Sequence, residues 1–282
     1  MEIHLAEHCG FCFGVKRAVA LANEAIEKHG HVAVMGDLVH NRAVMEKLRD
    51  KGLIYIRDLE EAAGMPVLLQ AHGTDPALIY KAKELGLELI DATCPLVSEI
   101  HRYAQELESE GRQVIIIGDH DHDEVRGIVS RLHDACVISQ PEDIKKFCRI
   151  KQKSGVVIQS TQQFENVCEI LPLLLTISRD CRIINTICEP TRQNQKEVRE
   201  LAKKNDCVLV IGDKSSANST RLFTLVRSLN PNSYRISGVG EIDPAWFRGC
   251  ASLGITAGAS TPEDQIDQVI QYIKLLDGDK RK

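Results

Sequence analysis

The sequence predicts an α/β protein made of three pseudo-threefold-related α/β units with parallel-type sheets. Short runs rich in Val, Ile and Leu alternate with helical patterns of about 10 to 16 residues, which is typical of parallel α/β units. A cysteine also precedes a Gly-Asp pair by 24 residues three times along the chain. Together these observations predict an internal repeat that brings three cysteines and three polar loops to one place.

The repeat is defined by a cysteine, a glycine and a polar residue four positions after that glycine. The distance between successive cysteines varies, so the length differences should lie in loops. We predict units at residues 13–94, 95–188 and 189–282, with the N-terminal strand within 1–12 joining the third unit. The repeated positions are Cys12, Gly36 and His40; Cys94, Gly118 and His122; and Cys188, Gly212 and Ser216.

Twelve apolar runs are candidate strands, four for each third of the chain. The helical patterns begin close to the three cysteines: they cover Lys16–Lys28, Pro95–Glu110 and Pro190–Lys204. The candidate strands are Ile3–Ala6, Val32–Met35, Leu53–Ile56, Val67–Gln70, Leu87–Ile90, Val114–Ile117, Cys136–Ser139, Val156–Gln159, Arg182–Asn185, Val208–Ile211, Tyr234–Ile236 and Leu253–Thr256.

Composition argues against two classes of partner. The formal net charge is −5 and aromatic residues make up 4%, without a basic cluster interleaved with aromatics, so nucleic acid is not expected. The apolar runs are far shorter than the roughly 18 residues of a membrane span. The first residues show no secretory signal. We therefore expect a cytoplasmic protein whose ten cysteines are thiols rather than disulfides.

Each repeated cysteine is expected between the end of a strand and the start of a helix, where the helix dipole favours a thiolate. Three converging thiolates make a soft metal site suited to Zn, Cu(I) or an iron–sulfur cluster. Structural zinc normally uses four ligands in closely spaced pairs, a pattern that is absent. Three widely separated cysteines favour a [4Fe–4S] cluster with one open iron. Buried cysteines repeated by gene triplication are the alternative.

Polar residues at the strand ends predict an anion-binding pocket. His40, His122 and Ser216, followed by Asn218, lie at one set of strand ends. Neutral donors near helix N-termini suit a phosphate or diphosphate. Taken singly, a structural histidine or a helix cap explains each of them. A further set of strand ends reads Gln70-Ala71-His72-Gly73, Gln159-Ser160-Thr161 and Thr256-Ala257-Gly258-Ala259-Ser260.

Only the middle repeat places a carboxyl group, Glu124, two residues beyond the repeated polar position. A carboxylic acid beside a histidine in an anionic pocket could serve as a proton donor. On the residues alone a solvated acidic loop is favoured slightly, because three aspartates surround Glu124.

Cys9 and Cys12 form a C-x-x-C motif, which permits a thioredoxin-like interpretation. Cys12 fits the repeat and Cys9 does not, so Cys9 is interpreted as a structural neighbour.

Five segments closely resemble the IspH (LytB) family of hydroxymethylbutenyl diphosphate reductases. The similarity extends from about Ala6 to Pro262, nearly the whole chain, so chance similarity is excluded. The segments are Gly10-Phe11-Cys12-Phe13-Gly14-Val15-Lys16-Arg17-Ala18-Val19, Val39-His40-Asn41-Arg42, Ala71-His72-Gly73, Asp91-Ala92-Thr93-Cys94-Pro95-Leu96-Val97 and Thr256-Ala257-Gly258-Ala259-Ser260.

The resemblance implies three α/β units around a central iron–sulfur cluster held by Cys12, Cys94 and Cys188. It implies that the substrate hydroxyl meets the open iron, that Glu124 delivers a proton beside His122, and that Ser160 or Thr161 assists. The expected reaction removes an allylic hydroxyl with two electrons and two protons, giving isopentenyl and dimethylallyl diphosphates, with ferredoxin or flavodoxin as electron donor. The implied diphosphate ligands are His40, His72, His122, Ser216, Asn218 and Ser260.

The sequence departs from the family pattern at several positions. The family usually reads Gly-His-x-Gly-His-Pro-Glu-Val, whereas residues 118–125 here read Gly-Asp-His-Asp-His-Asp-Glu-Val. The other departures are Pro190, Arg192 and Ala217. These changes bear on catalytic efficiency more than on membership of the family.

Two alternatives stay open from the residues: a non-catalytic iron–sulfur or thiolate-metal sensor that binds a small anion, and a thiol oxidoreductase built on Cys9 and Cys12.

Overall fold

Three four-stranded parallel sheets form the framework of the protein in the computed structural model, which describes residues 1–146 and 149–279. All twelve predicted strands are present, each shifted by at most a few residues, so the predicted α/β class is confirmed. In chain order the strands are β1 (Glu2–Leu5), β2 (Val32–Val34), β3 (Leu53–Tyr55), β4 (Val67–Leu69), β5 (Leu89–Asp91), β6 (Gln113–Ile117), β7 (Ala135–Ile138), β8 (Lys153–Ile158), β9 (Asp180–Ile183), β10 (Cys207–Ile211), β11 (Ser233–Ile236) and β12 (Ser252–Ala257).

Helices connect the parallel strands, because parallel neighbours need a crossover connection between them. Within the described residues, no helix is both long enough and apolar enough to span a membrane. The helices are α1 (Phe13–His29), α2 (Arg42–Lys51), α3 (Pro76–Glu84), α4 (Pro95–Ser109), α5 (Asp123–Val129), α6 (Asp143–Lys146), α7 (Phe164–Leu175), α8 (Glu189–Lys204), α9 (Ala217–Leu229) and α10 (Glu263–Asp279).

The three sheets share one strand order. The first is β3-β2-β4-β5, the second is β7-β6-β8-β9, and the third is β11-β10-β12-β1. The N-terminal strand therefore occupies the place in the third sheet that β5 and β9 occupy in the first two. It pairs in parallel with β12, with Ile3 opposite Leu253.

Contacts along the chain divide it into two compact units. One unit consists of Met1–Val15, His40–Val44 and the chain from Glu189 onward, and it contains the third sheet. The other consists of Lys16–Val39 and Met45–Cys188 and contains the first and second sheets. The finer division into 13–94, 95–188 and 189–282 stays a prediction.

The second sheet is covered by helices on both faces. On β6, Ile115 and Ile117 pack with α7, whereas Val114 and Ile116 pack with α4 and α5. All four side chains are fully buried, which explains why this strand reads as a continuous apolar run. Cys136 on β7 lies in the α7 core and is in a disulfide, so the expectation of ten thiols is wrong at this position.

The third sheet has the same construction. Leu209 and Ile211 of β10 pack toward α10, and Val208 and Val210 pack toward α8 and α9. Because helices cover both faces, only the strand ends and the loops that follow them can present polar side chains to a ligand.

His101 is a buried polar side chain in α4 whose Nε2 atom has no hydrogen-bond partner among the described residues. Burial lowers its pKa to about 4. The positive charge of Arg131 also lowers the pKa, whereas the negative charge of Asp91 raises it by a smaller amount. Arg131 donates to the carbonyl oxygens of Gly127 and Thr74, and the bond to Thr74 is 2.9 Å long. His101 is thus a neutral packing residue at ordinary pH.

We predict that His101 makes the free energy of unfolding fall as the solution is acidified. The folded state keeps the imidazole neutral down to a pKa of about 4, whereas the unfolded chain binds the proton near 6.5. Stability is therefore lost as pH falls from 6.5 to 4, by on the order of 3 kcal/mol. Urea unfolding followed by circular dichroism should show a smaller decrease over this range in His101→Gln than in the wild type; equal pH slopes would contradict the prediction.

Candidate active site

The three repeated cysteines occupy the same structural position in their repeats. Each lies directly before the first residue of a long helix: α1, α4 or α8. The backbone N–H of each donates to a carbonyl oxygen two residues beyond a strand end. The bonds are Cys12 to Ala259 at 3.0 Å, Cys94 to Ala71 at 2.8 Å and Cys188 to Ser160 at 3.0 Å.

These cysteines have the chemistry of metal ligands. None is in a disulfide, and each is partly accessible rather than sealed in a core. The positive end of a helix stabilises a thiolate, which is the form that binds metal. Three thiolates are a soft donor set, and thiolates are the ligands that hold iron–sulfur clusters in proteins.

Glu124 is buried in the first turn of α5, with 3% of its surface exposed. The N–H of Ser160 donates to Oε1 and its hydroxyl donates to Oε2, both at 2.6 Å. The hydroxyl oxygen of Thr161 instead accepts from Gln159 Nε2 at 3.2 Å. The solvated-loop interpretation of Glu124 is therefore wrong: the carboxyl group is enclosed and oriented by Ser160.

His122 caps the N-terminus of the same helix. Its Nδ1 atom accepts from the N–H of Glu124 at 3.1 Å. Since Nδ1 acts as the acceptor, a neutral ring carries its hydrogen on Nε2. His122 can therefore donate one hydrogen bond to an anion while it fixes the start of the helix that carries Glu124.

His72 lies on a tight turn after β4. The turn is closed by a bond from Gly73 N to Gln70 O, 3.2 Å long. Gly73 has φ of +95°, and a Cβ atom there would lie 2.7 Å from Cε1 of His101. Only glycine fits this position, so the turn after His72 packs directly against His101.

A second group of polar side chains lies in the unit that contains the third sheet. Ser216 caps α9 and accepts from Ser219 N at 3.3 Å, and Asn218 lies in the first turn of that helix. Asn218 is buried, and its Nδ2 atom has no hydrogen-bond partner within the part of the chain that the structure describes. An unsatisfied buried donor is costly unless a ligand completes it, which suits an anion. Ser260 donates to the carbonyl oxygen of His40 at 3.0 Å.

Asp213, of the third Gly-Asp pair, is a positioning residue that we did not predict. It accepts from the N–H of Arg42 at 3.1 Å and so holds the segment that follows His40. Burial alone would raise its pKa, but the hydrogen bonds from Ser215 and Arg42 outweigh burial and lower it. The sequence did offer a signal for this residue, because an aspartate follows the glycine in all three repeats.

The glycine of each Gly-Asp pair is required by a neighbouring side chain. A Cβ atom at Gly36 would lie 2.5 Å from Gln70 Nε2, and one at Gly118 would lie 3.1 Å from Gln159 Oε1. The third repeat has Gly258 in place of these glutamines, and Ser219 fills the space. Cβ atoms at Gly212 and Gly258 would lie 2.2 and 2.0 Å from Ser219 Oγ.

Cys9 lacks the properties of a redox-active thiol. Its Sγ donates to the carbonyl oxygen of Ala6 at 3.1 Å. Burial raises the pKa of Cys9 to about 11, and the negative charges of Glu197 and Glu263 add to this effect. A thiol that is hard to ionise is a poor nucleophile, so the thioredoxin-like interpretation loses its support.

The structure combines three parallel sheets, a thiol at the start of one helix in each repeat, and an oriented carboxyl group beside a histidine. These features place it in the class of α/β proteins whose thiols suit a metal. The family model described as LytB protein matches residues 3–274. The chain therefore belongs to the LytB family, a family of iron–sulfur enzymes, and the resemblance seen in the sequence is confirmed.

Individual relatives agree with this membership. The chain is 40% identical over 281 residues to the 4-hydroxy-3-methylbut-2-enyl diphosphate reductase of Geobacter metallireducens, with 99% of each chain covered. The solved E-1-hydroxy-2-methyl-but-2-enyl-4-diphosphate reductase of Plasmodium falciparum gives a TM-score of 0.91 at 28% identity, over 97% of this chain and 87% of that one. A second solved (E)-4-hydroxy-3-methyl-but-2-enyl diphosphate reductase gives 0.69 at 35% identity, over 98% and 100%.

We predict that Gly258→Ala destabilises the fold through a clash with Ser219. The added methyl group would lie 2.0 Å from Oγ and 3.1 Å from Cβ of Ser219. The expected cost in unfolding free energy is about 1 to 3 kcal/mol. Thermal unfolding should show the loss, and a second change, Ser219→Ala, should recover most of it while having little effect alone. A double variant no more stable than Gly258→Ala would contradict this explanation.

Proposed function

We propose that this chain is a 4-hydroxy-3-methylbut-2-enyl diphosphate reductase that converts its substrate to isopentenyl diphosphate and dimethylallyl diphosphate. The observation that carries the proposal is the buried Glu124 carboxyl group, held by two hydrogen bonds from Ser160 in a member of the LytB family. A sensor that only binds an anion has no use for an oriented acid. The reaction consumes two electrons and two protons and releases the allylic hydroxyl as water.

Cys12, Cys94 and Cys188 are the proposed ligands of a [4Fe–4S] cluster. The support is their equivalent position before three long helices and their partial accessibility. With three protein ligands, one iron of the cluster has no protein ligand. When bound, the cluster would supply the electrons and a Lewis-acid iron for this reaction. Ferredoxin or flavodoxin is the proposed source of those electrons.

In this proposal the diphosphate is held by hydroxyl, amide and histidine side chains at the strand ends. His122 offers its Nε2 hydrogen, because Nδ1 is already an acceptor. Asn218 offers the buried Nδ2 donor described above. The complete proposed set is His40, His72, His122, Ser216, Asn218 and Ser260.

Glu124 is the proposed proton donor, and Ser160 is the assisting hydroxyl. Both carboxylate oxygens accept hydrogen bonds from Ser160, so the group has one orientation. Thr161 lies next to Ser160 and bonds to Gln159, so its role is to support the loop. Burial excludes bulk water from the carboxyl group, so a proton delivered there is not exchanged directly with solvent.

The departures from the family pattern are compatible with the fold. Pro190 lies in the first turn of α8, where a missing N–H costs nothing. Arg192 is half exposed and lies 4.0 Å from Glu189 on the surface of that helix. Ala217 is the first residue of α9, between Ser216 and Asn218. A hydroxyl group is absent at that position, while the two neighbouring proposed ligands are retained.

We predict that Glu124→Gln abolishes most turnover but retains the cluster. The amide can still accept from Ser160 N–H but cannot release a proton, so the rate should fall by about 100-fold or more. Steady-state rates with a chemical reductant, measured together with iron and acid-labile sulfide content, test this. Glu142→Gln, at an exposed position, serves as the matched control. Wild-type activity in Glu124→Gln would rule out the proton-donor role.

We also predict that Cys94 and Cys9 differ in their effect on the cluster. Cys94→Ser should lose iron and the visible absorption band, because a serine hydroxyl is a much harder ligand than a thiolate. Cys9→Ser should retain both, since that thiol bonds to Ala6 and is hard to ionise. The reverse result would favour the thiol oxidoreductase.

A further inference from the structure

Asp123 lies beside His72, although the two residues are about 50 positions apart in the sequence. Its Oδ2 atom is 3.4 Å from Nε2 of His72, which is an ion-pair distance. The His72 side chain is 7% exposed and the Asp123 side chain is 42% exposed. The Nε2 atom itself has essentially no accessible surface. The carboxylate therefore covers one edge of a buried imidazole.

We propose that Asp123 is a positioning residue for substrate binding: it holds the Nε2 edge of His72, so that the ring presents Nδ1 to a phosphate oxygen of the diphosphate. This inference rests on the proposed function, which makes His72 a diphosphate ligand, and it deepens that function by naming what orients the ligand. Asp123 acts through His72 and does not touch the reacting atoms.

The hydrogens that the His72 ring must carry support a positioning role for Asp123. A carboxylate accepts hydrogen bonds and cannot donate them, so Nε2 must carry a hydrogen when it faces Asp123. A phosphate oxygen is also only an acceptor, so Nδ1 must carry a second hydrogen to bind it. The ring that bridges the two anions is therefore an imidazolium, and Asp123 supplies the counter-charge that a buried cation needs.

The surroundings of both residues keep this geometry fixed. The turn that carries His72 packs against His101 at Gly73, and the next carbonyl, of Thr74, accepts from Arg131 at 2.9 Å. Asp123 is the first residue of α5. Its second oxygen lies 4.0 Å from Nη1 of exposed Arg126. The pairing thus joins the turn that carries His72 to the helix that carries Glu124.

The position can be changed without disturbing the helix. His122, which precedes it, has ψ of 135°, a conformation that a following proline accepts. Proline is also tolerated at the first position of a helix, and it is the residue that the family usually has there. Asp123→Asn and Asp123→Pro therefore both remove the charge while keeping the backbone.

The test measures KM and kcat for the allylic diphosphate, and the inhibition constant of inorganic diphosphate, in the cluster-loaded enzyme. Both variants should raise KM and the inhibition constant roughly fivefold, the size that a partly screened ion pair supports, with kcat within twofold of wild type. Asp121→Asn is the matched control, because it removes a charge that is 98% exposed in the same loop. It should change neither constant.

A double variant shows whether Asp123 acts through His72. In a His72→Gln background, which itself should raise KM, Asp123→Asn should add nothing. An unchanged or lower KM in Asp123→Asn, with His72→Gln still impaired, would overturn the inference and leave the proposed function intact. An effect of Asp121→Asn equal to that of Asp123→Asn would also overturn it, because loop charge would then be the cause. A wild-type KM in His72→Gln would overturn the assignment of His72 and this inference with it.

Discussion

One hydrogen bond, repeated three times, fixes the parts of the molecule that carry chemistry. The N–H of each repeated cysteine bonds to the carbonyl two residues beyond the end of β4, β8 or β12. It holds each thiol at the start of a helix and ties it to the same loop that carries His72, Ser160 or Ser260. A proposed metal ligand and a proposed binding group are therefore positioned by one backbone contact in each repeat.

The repeats differ where the chemistry requires it. The middle repeat has a glutamine, Gln159, behind its glycine and an acid at position 124, and Ser160 both accepts the cysteine N–H and holds that acid. The last repeat replaces the glutamine with Gly258, and Ser219 fills the space. The threefold architecture thus supplies the thiols and the proposed binding groups, and departures from it supply the proposed proton donor and the close packing of Ser219 on α9.

The sequence was sufficient for the sheets and helices because continuous apolar runs and repeated spacing are local signals. It was insufficient where a contact joins distant segments. The burial of Glu124 depends on Ser160, 36 residues later, and the three aspartates around Glu124 suggested the opposite environment. The contact of Asp123 with His72 and the disulfide at Cys136 likewise depend on which chain segments meet. Composition and spacing carry no information on such pairings.

Three cysteines are proposed to hold an iron–sulfur cluster in an enzyme that reduces an allylic diphosphate. Iron and acid-labile sulfide content, with an absorption spectrum, after anaerobic purification tests this claim most directly. About four iron and four sulfide per chain are expected, with a broad visible absorption band that weakens on reduction. Zinc in place of iron, with no labile sulfide, would contradict it.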